Sequence, residues 1–450
     1  MSNVFKKVTI SAYLIVSLAL LLFTIYEPAF LVITIGLFVF GFLFFLFISG
    51  KLHLIHFVGV LIPSIILSPS IPLPGLPSIR IDDIWLAFGA IVLIVLASKS
   101  KKLSIVFPMY AKLYLLFIAW IAITIYISSN QEPYFYSNRD WLEVYKNIKL
   151  LVILLIGANV KINKDRLRSL VKVLLLSLLV TSMFGFMQFF NLFNINSWLT
   201  PYFVYKSKVY GLEALNRVVG TFGNPNVLAS ALLIGIAFSF SSFLSSFKVR
   251  YLLLLTIFFS ALTTTMSRTA IVSGALLLIV VFFMVMSKTK KKLATLFVVS
   301  FVPIAILLAL KFVPSKFFYR MSFLNDLSSD NSSQVRISNW ATIFQARTKD
   351  HIIAGTGPVS KLQITFDNEW LMLLTQYGII GVVLFVLLFS VIYFKLGKMS
   401  SIDGGYTNIA MRGLIIVYGL SMITMPIFQQ LQLMPIVILL IGLALNKNKP

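Results

Sequence analysis

The chain has 450 residues, of which 59% are hydrophobic and 12% are charged, and its mean hydropathy is +0.96. A water-soluble domain of this composition would expose too much apolar surface, so the sequence predicts a polytopic membrane protein. The lack of cysteine excludes disulfides, thiolate nucleophiles and cysteine metal sites, and the net charge of +24 indicates lysine-rich cytoplasmic loops and anionic lipid contacts rather than nucleic-acid binding.

Continuous apolar runs recur along the whole chain, and a spanning helix needs about 20 such residues. They predict an all-α fold of about 12–14 transmembrane helices in one integral membrane domain, because a β-barrel would show alternating segments. The candidate spans are 8–26, 29–48, 52–68, 81–97, 109–128, 147–160, 168–190, 226–246, 251–266, 269–287, 293–312, 369–394, 406–425 and 428–446. Lysine-rich breaks fall on alternate connections, which predicts cytoplasmic termini.

The longest predicted outer connection covers residues 313–368, and loops of this length are usually functional or disordered. Within it the sequence "RISNWATIFQAR" has apolar residues at helical spacing on one face: Ile337, Trp340, Ala341 and Phe344. We therefore expect an amphipathic helix that lies at the outer membrane interface.

Arginines and lysines are distributed differently on this topology. Most lysines lie on the predicted cytoplasmic side, whereas most arginines lie outside: Arg80, Arg139, Arg217, Arg268, Arg320, Arg336 and Arg347. A guanidinium can hold a phosphate by two hydrogen bonds and stays charged in a partly dry site, so the outer group indicates an anionic ligand. The alternative is that single arginines reach lipid headgroups or pair with outer acids, and we favour it for Arg80, Arg139 and Arg320.

The stretch "NRVVGTFGNPNVLAS" combines a cation with a helix start. Asn224, Pro225 and Asn226 are typical of a capped N-terminus with proline in its first turn. The free N–H groups and positive dipole end of that helix would lie beside Arg217, and glycines at 220 and 223 would let the backbone approach an anion. Arg268, between two spans on the same side, could reach the same ligand; the pattern predicts a phosphate cradle.

Four segments in order resemble the O-antigen ligase and polymerase superfamily of bacterial envelope glycosyltransferases. They read "RVVGTFGNPNVLAS", "TTTMSRTAIVSG", "RISNWATIFQARTKDHIIAGTGPVS" and "DNEWLMLLTQYGIIGVV", and the resemblance covers about 210–385. It implies a GT-C type fold and an inner-membrane enzyme acting at the outer face on polyprenyl-pyrophosphate-linked glycans, with no cofactor, metal or nucleotide sugar. Arg217, Arg268 and Arg336 match the arginines thought to hold the donor pyrophosphate.

One departure from the ligase pattern concerns the end of the large loop. Ligases carry a histidine there, proposed to activate the acceptor hydroxyl, whereas this chain has Asp367 followed by Asn368. The resemblance then favours the polymerase branch, with undecaprenyl-pyrophosphate-linked donor and acceptor and a chain-length regulator as a further candidate partner. Asp367 is the candidate base, with Asn368 and Glu369 on the acceptor side; an N-cap role is the alternative for Asp367. For Glu369 we favour a salt bridge to an outer arginine.

Two other functions remain open at this point. A ligase or a protein oligosaccharide transferase of the same superfamily would use the same donor. A flippase or anion carrier would also suit many spans and outward arginines, although charged residues are nearly absent from the span centres and the two halves show no symmetry.

Overall fold

The computed structural model describes residues 54–68, 70–73, 76–80, 83, 86–87, 89–91, 106–131, 136–160, 162–197, 203–204, 208–209, 212, 216–287, 331–358, 366–398 and 405–446. The helices are α1 (Leu54–Leu67), α2 (Met109–Gln131), α3 (Trp141–Asn159), α4 (Lys164–Phe189), α5 (Pro225–Ser246), α6 (Val249–Thr264), α7 (Arg268–Met286), α8 (Asn331–Ile343), α9 (Glu369–Lys398), α10 (Tyr406–Ser421) and α11 (Met434–Ala444). Short 3₁₀ turns cover Asn138–Asp140 and Leu192–Asn194, and one π turn, Phe344–Thr348, extends α8. The predicted spans 8–26, 29–48 and 293–312, most of 81–97, and Arg320 lie outside the described residues.

The predicted all-α membrane fold is confirmed. Within the described residues five helices are long and apolar enough to cross a bilayer, namely α2, α4, α5, α7 and α9, and α1, α6 and α11 are shorter apolar helices. The part of the chain that the structure describes adds a small antiparallel hairpin of β1 (Ser70–Leu73) and β2 (Leu76–Arg80), in the predicted outer connection after α1.

Helix α5 is the centre of the bundle. Its apolar window is 94% buried, whereas those of the other four long helices are 28% to 44% buried. It packs against α4, α6, α7 and α10. At Gly235 an added Cβ would lie 2.8 Å from the ring of Phe258, so the lack of a side chain lets α6 approach closely. The start of α5 is therefore held in a fixed position relative to its neighbours.

Two predicted boundaries are wrong, each for a local reason. Helix α3 begins at Trp141 rather than 147, because the polar Lys146 and Asn147 are buried and partnered inside it. The predicted span 428–446 is helical only from Met434, and turns occupy the segment 422–433 before it. Helix α1, by contrast, continues through Pro63 over most of the predicted span 52–68.

Helix α9 is broken inside the apolar span. Gly378 has φ +65° and ψ −173°, which is not helical, and the segment 352–357 that follows α8 pairs with the break. The backbone bonds are Thr356 N–H to Thr375 O (2.8 Å), Gly357 N–H to Gln376 O (2.9 Å), Ile379 N–H to Ile352 O (2.8 Å) and Ile380 N–H to Ile353 O (3.4 Å). The end of the predicted outer loop thus packs into the broken apolar helix, where irregular backbone is tolerated because protein partners satisfy it.

Glycine makes this insertion possible. A Cβ on Gly378 would lie 2.1 Å from the carbonyl oxygen of Ile353, and one on Gly355 would lie 2.4 Å from that of Gln376. The indole N–H of Trp120 in α2 donates to the carbonyl of Tyr377 at 2.8 Å, so this carbonyl beside the break is also satisfied. The inserted segment fixes the C-terminal end of α8 and with it the position of the amphipathic helix.

Candidate functional site

The three arginines singled out by the sequence lie together. Arg217, Arg268 and Arg336 line one cavity of about 90 Å³, although they come from three separate segments of the chain. The rest of its lining is Asn226, Met266, Ser267, Thr269, Thr424 and Met425. Among the described residues of this lining the charged side chains are all cations, so the cavity is suited to a compact anion with several oxygen atoms.

Arg217 is oriented by two hydrogen bonds. Its Nε donates to the carbonyl of Thr265 at 3.2 Å, and its Nη2 donates to Oδ1 of Asn226 at 3.2 Å. Asn226 lies in the first turn of α5, so the guanidinium is held beside that helix N-terminus. Both the predicted cap and the predicted position of Arg217 beside it are present: the side chain of Asn224 accepts from Asn226 N–H at 2.9 Å and Pro225 is in the first turn.

A second helix N-terminus borders the same cavity. Arg268 is the first residue of α7, and the side chain of Ser267 makes no capping hydrogen bond. Met266 before it has φ +52°, a left-handed conformation that is strained for a non-glycine residue and that turns the chain sharply from α6 into α7. The dipole ends of α5 and α7 therefore add positive potential to that of the three guanidinium groups.

Arg336 and Asp367 form an ion pair at the edge of this cavity. Nε of Arg336 lies 3.6 Å from Oδ2 of Asp367, and the two side chains are 35% and 52% exposed. Arg336 lies on α8, where the apolar Ile337 is 62% exposed, and Phe344 at the start of the following π turn is 40% exposed. An apolar face left uncovered in this way suits the predicted position at the membrane interface.

The N-cap alternative for Asp367 is wrong, because Asn368 takes that role. Oδ1 of Asn368 accepts from the N–H of Leu371 at 3.0 Å, and its carbonyl accepts from the N–H of Met372. The carboxylate of Asp367 is therefore not used in capping α9. It remains directed toward Arg336.

The expected salt bridge between Glu369 and an outer arginine is also wrong. Glu369 is fully buried, and its carboxylate accepts three backbone N–H bonds, from Ile427 (2.6 Å), Phe428 (2.8 Å) and Gln429 (2.9 Å). The amides come from the turns at 422–433, which lack helical partners of their own. A buried carboxylate is stable in such a site because charge-assisted bonds replace its hydration.

This carboxylate connects the two ends of the candidate site. The N–H of Glu369 donates to the carbonyl of Met422 at 2.8 Å, so side chain and backbone both bind the turn segment. Thr424 and Met425 of that segment line the arginine cavity. Glu369 therefore holds one wall of the cavity in place, and it fixes the chain two residues after Asp367.

Gly220 has a packing role in the structure. Gly220 (φ +54°) donates its N–H to Oε1 of Gln188 at 2.8 Å, and a Cβ there would lie 2.7 Å from Oγ1 of Thr181. Gly223 (φ +68°) is buried in the same turn. The close approach that Gly220 allows is to α4, not to the cavity lined by the arginines.

Several residues of the cavity were missed from the sequence. Ser267 and Thr269 flank Arg268, and the run "TTTMSRT" could have indicated a polar helix junction. Thr424 and Met425 lie where a continuous span was predicted. Pro426 directly after them was the available signal, since proline often ends a helix.

Part of the chain matches a known protein family. Residues 251–386 match a family model described as O-Antigen ligase. The matched region contains Arg268, Arg336, Asp367 and the broken part of α9, and it begins after Arg217. No curated protein matches the chain.

Proposed function

We propose that this chain, which belongs to the O-antigen ligase/polymerase superfamily, is a polymerase that joins lipid-linked repeat units of a bacterial polysaccharide. Members of the family are glycosyltransferase-like enzymes of the membrane. The observation that carries the proposal is the cavity in which Arg217, Arg268 and Arg336 meet. Its ligand in our proposal is the pyrophosphate of an undecaprenyl-linked glycan, at the outer face of the cytoplasmic membrane.

The arginine cavity would stabilise the leaving group. Cleavage of the bond between the anomeric carbon and the pyrophosphate oxygen leaves negative charge on the pyrophosphate, and this charge grows in the transition state. Guanidinium groups and helix N-termini already oriented toward it stabilise the transition state more than the ground state. The cations thus supply the electrostatic part of catalysis, and the proposed step uses no metal ion.

Asp367 would act on the acceptor. The acceptor hydroxyl oxygen attacks the anomeric carbon, its proton passes to the carboxylate of Asp367, and lipid pyrophosphate leaves with the electrons of the broken C–O bond. The side chain is half-exposed and is not used in helix capping, so a sugar hydroxyl can approach it. Its ion pair with Arg336 keeps the carboxylate next to the donor cavity.

Asp367 also favours the polymerase branch over the ligase branch. In the family resemblance the corresponding position of ligases carries a histidine, and this chain has an aspartate-asparagine pair. In our proposal the acceptor is therefore a second lipid-linked repeat unit rather than lipid A core or protein. Both substrates then reach the site from the membrane.

The test is polymerisation by purified protein with a defined undecaprenyl-pyrophosphate-linked repeat unit as donor and acceptor. We expect a ladder of longer lipid-linked chains on a gel together with release of undecaprenyl pyrophosphate, and a chelator should not change the rate. Arg217→Ala, Arg268→Ala and Arg336→Ala should each abolish the ladder. Arg139→Ala is the matched control, because Arg139 is an exposed arginine outside the cavity.

Other products would identify the alternatives. Glycan transferred to lipid A core would indicate a ligase, glycan on a protein would indicate an oligosaccharide transferase, and movement of intact substrate between leaflets would indicate a flippase. Wild-type chain lengths in any two of the three arginine variants would overturn the pyrophosphate cavity itself.

A further inference from the structure

We propose that the protein has a second anion site at the opposite end of α5, which binds the phosphate of an anionic phospholipid headgroup. A cavity of about 350 Å³ lies there. Helix α5 has 22 residues, so at about 1.5 Å per residue its two ends are about 33 Å apart, close to the thickness of a bilayer core. The site is thus at the other membrane face from the arginine cavity and independent of the proposed reaction.

Four cations line this cavity, which we call the basic cavity. Arg168 and Lys172 lie one turn apart on α4, and Lys248 and Arg250 lie at the start of α6. The N-terminal turns of α6 and α10 both reach the basic cavity, and no side chain caps α6 through a hydrogen bond. Cations and positive helix ends therefore face the same space, an arrangement that stabilises a bound phosphate.

The opposing charges that the structure describes around the basic cavity are weak. Asp165 lies 3.9 Å from Arg168, but the two side chains are 89% and 57% exposed, so the pair is screened by water. The C-terminal end of α5 also borders the cavity, with Ser245 and Ser246 donating to the carbonyl of Ser242. The guanidinium of Arg250 lies 4.9 Å from the ring centroid of Tyr251 and is positioned by it. Among the described residues at the basic cavity, four cations therefore face one exposed acid.

The apolar part of the lining favours a lipid over a free anion. Leu167 and Leu175 of α4 are buried beneath the cations and form an apolar floor. Beside the cavity, Leu176, Val249 and Leu253 are 60%, 66% and 60% exposed, which gives acyl chains an apolar surface to follow. A phosphate with hydrocarbon chains matches both features, and basic pockets between membrane helices bind such headgroups.

The test compares lipids on the purified full-length protein without any glycan substrate. Thermal unfolding and native mass spectrometry would be measured in detergent with added dioleoylphosphatidylglycerol, with dioleoylphosphatidylcholine, and with inorganic phosphate alone. We expect phosphatidylglycerol to bind and stabilise the protein more than phosphatidylcholine. Lys248→Gln with Arg250→Gln should weaken phosphatidylglycerol binding about 25-fold, at roughly fivefold for each cation.

The matched control is Lys164→Gln with Arg166→Gln. These cations lie on the first turn of α4, are exposed, and do not line the basic cavity. Both double variants remove one lysine and one arginine, so they change the net charge equally. Equal loss in both double variants, or no preference of the wild type for phosphatidylglycerol, would overturn the site. Saturation by inorganic phosphate alone would support the anion site and assign it to a free phosphate. If the first variant does not fold, Arg168→Gln with Lys172→Gln tests the other half of the cluster.

Discussion

Arg336 and Asp367 are joined by an ion pair in which Nε and Oδ2 lie 3.6 Å apart. The pair connects the amphipathic helix α8 to the chain just before α9. Since Arg336 also lines the arginine cavity, one guanidinium faces both the proposed leaving group and the proposed base. An anion bound in the cavity would compete with Asp367 for this guanidinium, so donor binding would loosen the carboxylate at the moment when it is needed to take a proton.

Asp367→Asn should separate catalysis from binding. Asparagine retains the shape of the side chain but cannot accept the proton, so we expect the rate of undecaprenyl pyrophosphate release to fall by about 10² to 10⁴ at saturating donor. Donor affinity should not fall and should rise modestly, because asparagine no longer competes with the donor anion for the guanidinium of Arg336. Single-turnover kinetics measure both quantities. Asp350→Asn is the control, since Asp350 is an exposed acid of the same loop; a wild-type rate in Asp367→Asn would limit Asp367 to pairing with Arg336.

Arg217→Lys should be nearly as inactive as Arg217→Ala. The guanidinium uses Nε and Nη2 to bind Thr265 and Asn226, and a lysine ammonium cannot make both bonds while facing the cavity. Loss of one preorganised donor to a developing anion reduces turnover by about 10² to 10³. The measurement is polymer formation per membrane-inserted protein, with Arg139→Lys as the control. Substantial rescue by lysine would mean that the positive charge alone is sufficient for activity, without the two oriented N–H donors of the guanidinium.

Within the described residues, the sequence was sufficient to predict most of the helices and the three arginines that line the cavity. Apolar runs define spans because the bilayer imposes one length on every crossing segment, and Asn224, Pro225 and Asn226 define a cap from local geometry alone. The arginines could be distinguished from the lysines as candidate ligand residues, because only the planar guanidinium binds a phosphate through two parallel hydrogen bonds. These features depend on residue type and spacing, so they can be read without a structure.

The roles that could not be predicted belong to residues whose partners are distant in sequence. Glu369 binds amides some sixty residues later, and Gly378 is shaped by a loop that returns to it from the preceding segment. Neither residue differs, in its local pattern, from an interfacial acid or an ordinary helix glycine. Gly220 was predicted to let the backbone approach the anion. In the structure its lack of a side chain instead leaves room for Thr181. The roles of such residues are determined by long-range packing, which the local sequence pattern does not show.

Glu369→Gln should destabilise the protein by about 3 kcal/mol. The glutamine amide group would point an N–H₂ at backbone N–H donors, so charge-assisted bonds to Ile427, Phe428 or Gln429 would be lost inside a buried site. Thermal unfolding in detergent measures the loss, and hydrogen exchange should increase at these three amides. The control is Asp165→Asn, whose side chain is 89% exposed. Unchanged exchange at 427–429 would contradict the anchoring role.

Gly378→Ala should disrupt the inserted segment and, through it, the position of Arg336. Its φ of +65° and ψ of −173° are almost exclusive to glycine, and an added Cβ would lie 2.1 Å from the carbonyl oxygen of Ile353. We expect a loss of about 3 kcal/mol or more in stability, since backbone strain and a clash with backbone act together.

The matched control for this change is Gly419→Ala in α10. Nothing lies within 4 Å of a Cβ at Gly419, and the residue is helical, so alanine there should be neutral or stabilising by about 0.5–1 kcal/mol. Both variants add one methyl group to a glycine of the membrane bundle and differ only in backbone conformation and space. If Gly378→Ala unfolds at the wild-type temperature and keeps full activity, the break in α9 is not needed to hold α8, and Arg336 must be positioned by its pair with Asp367 alone.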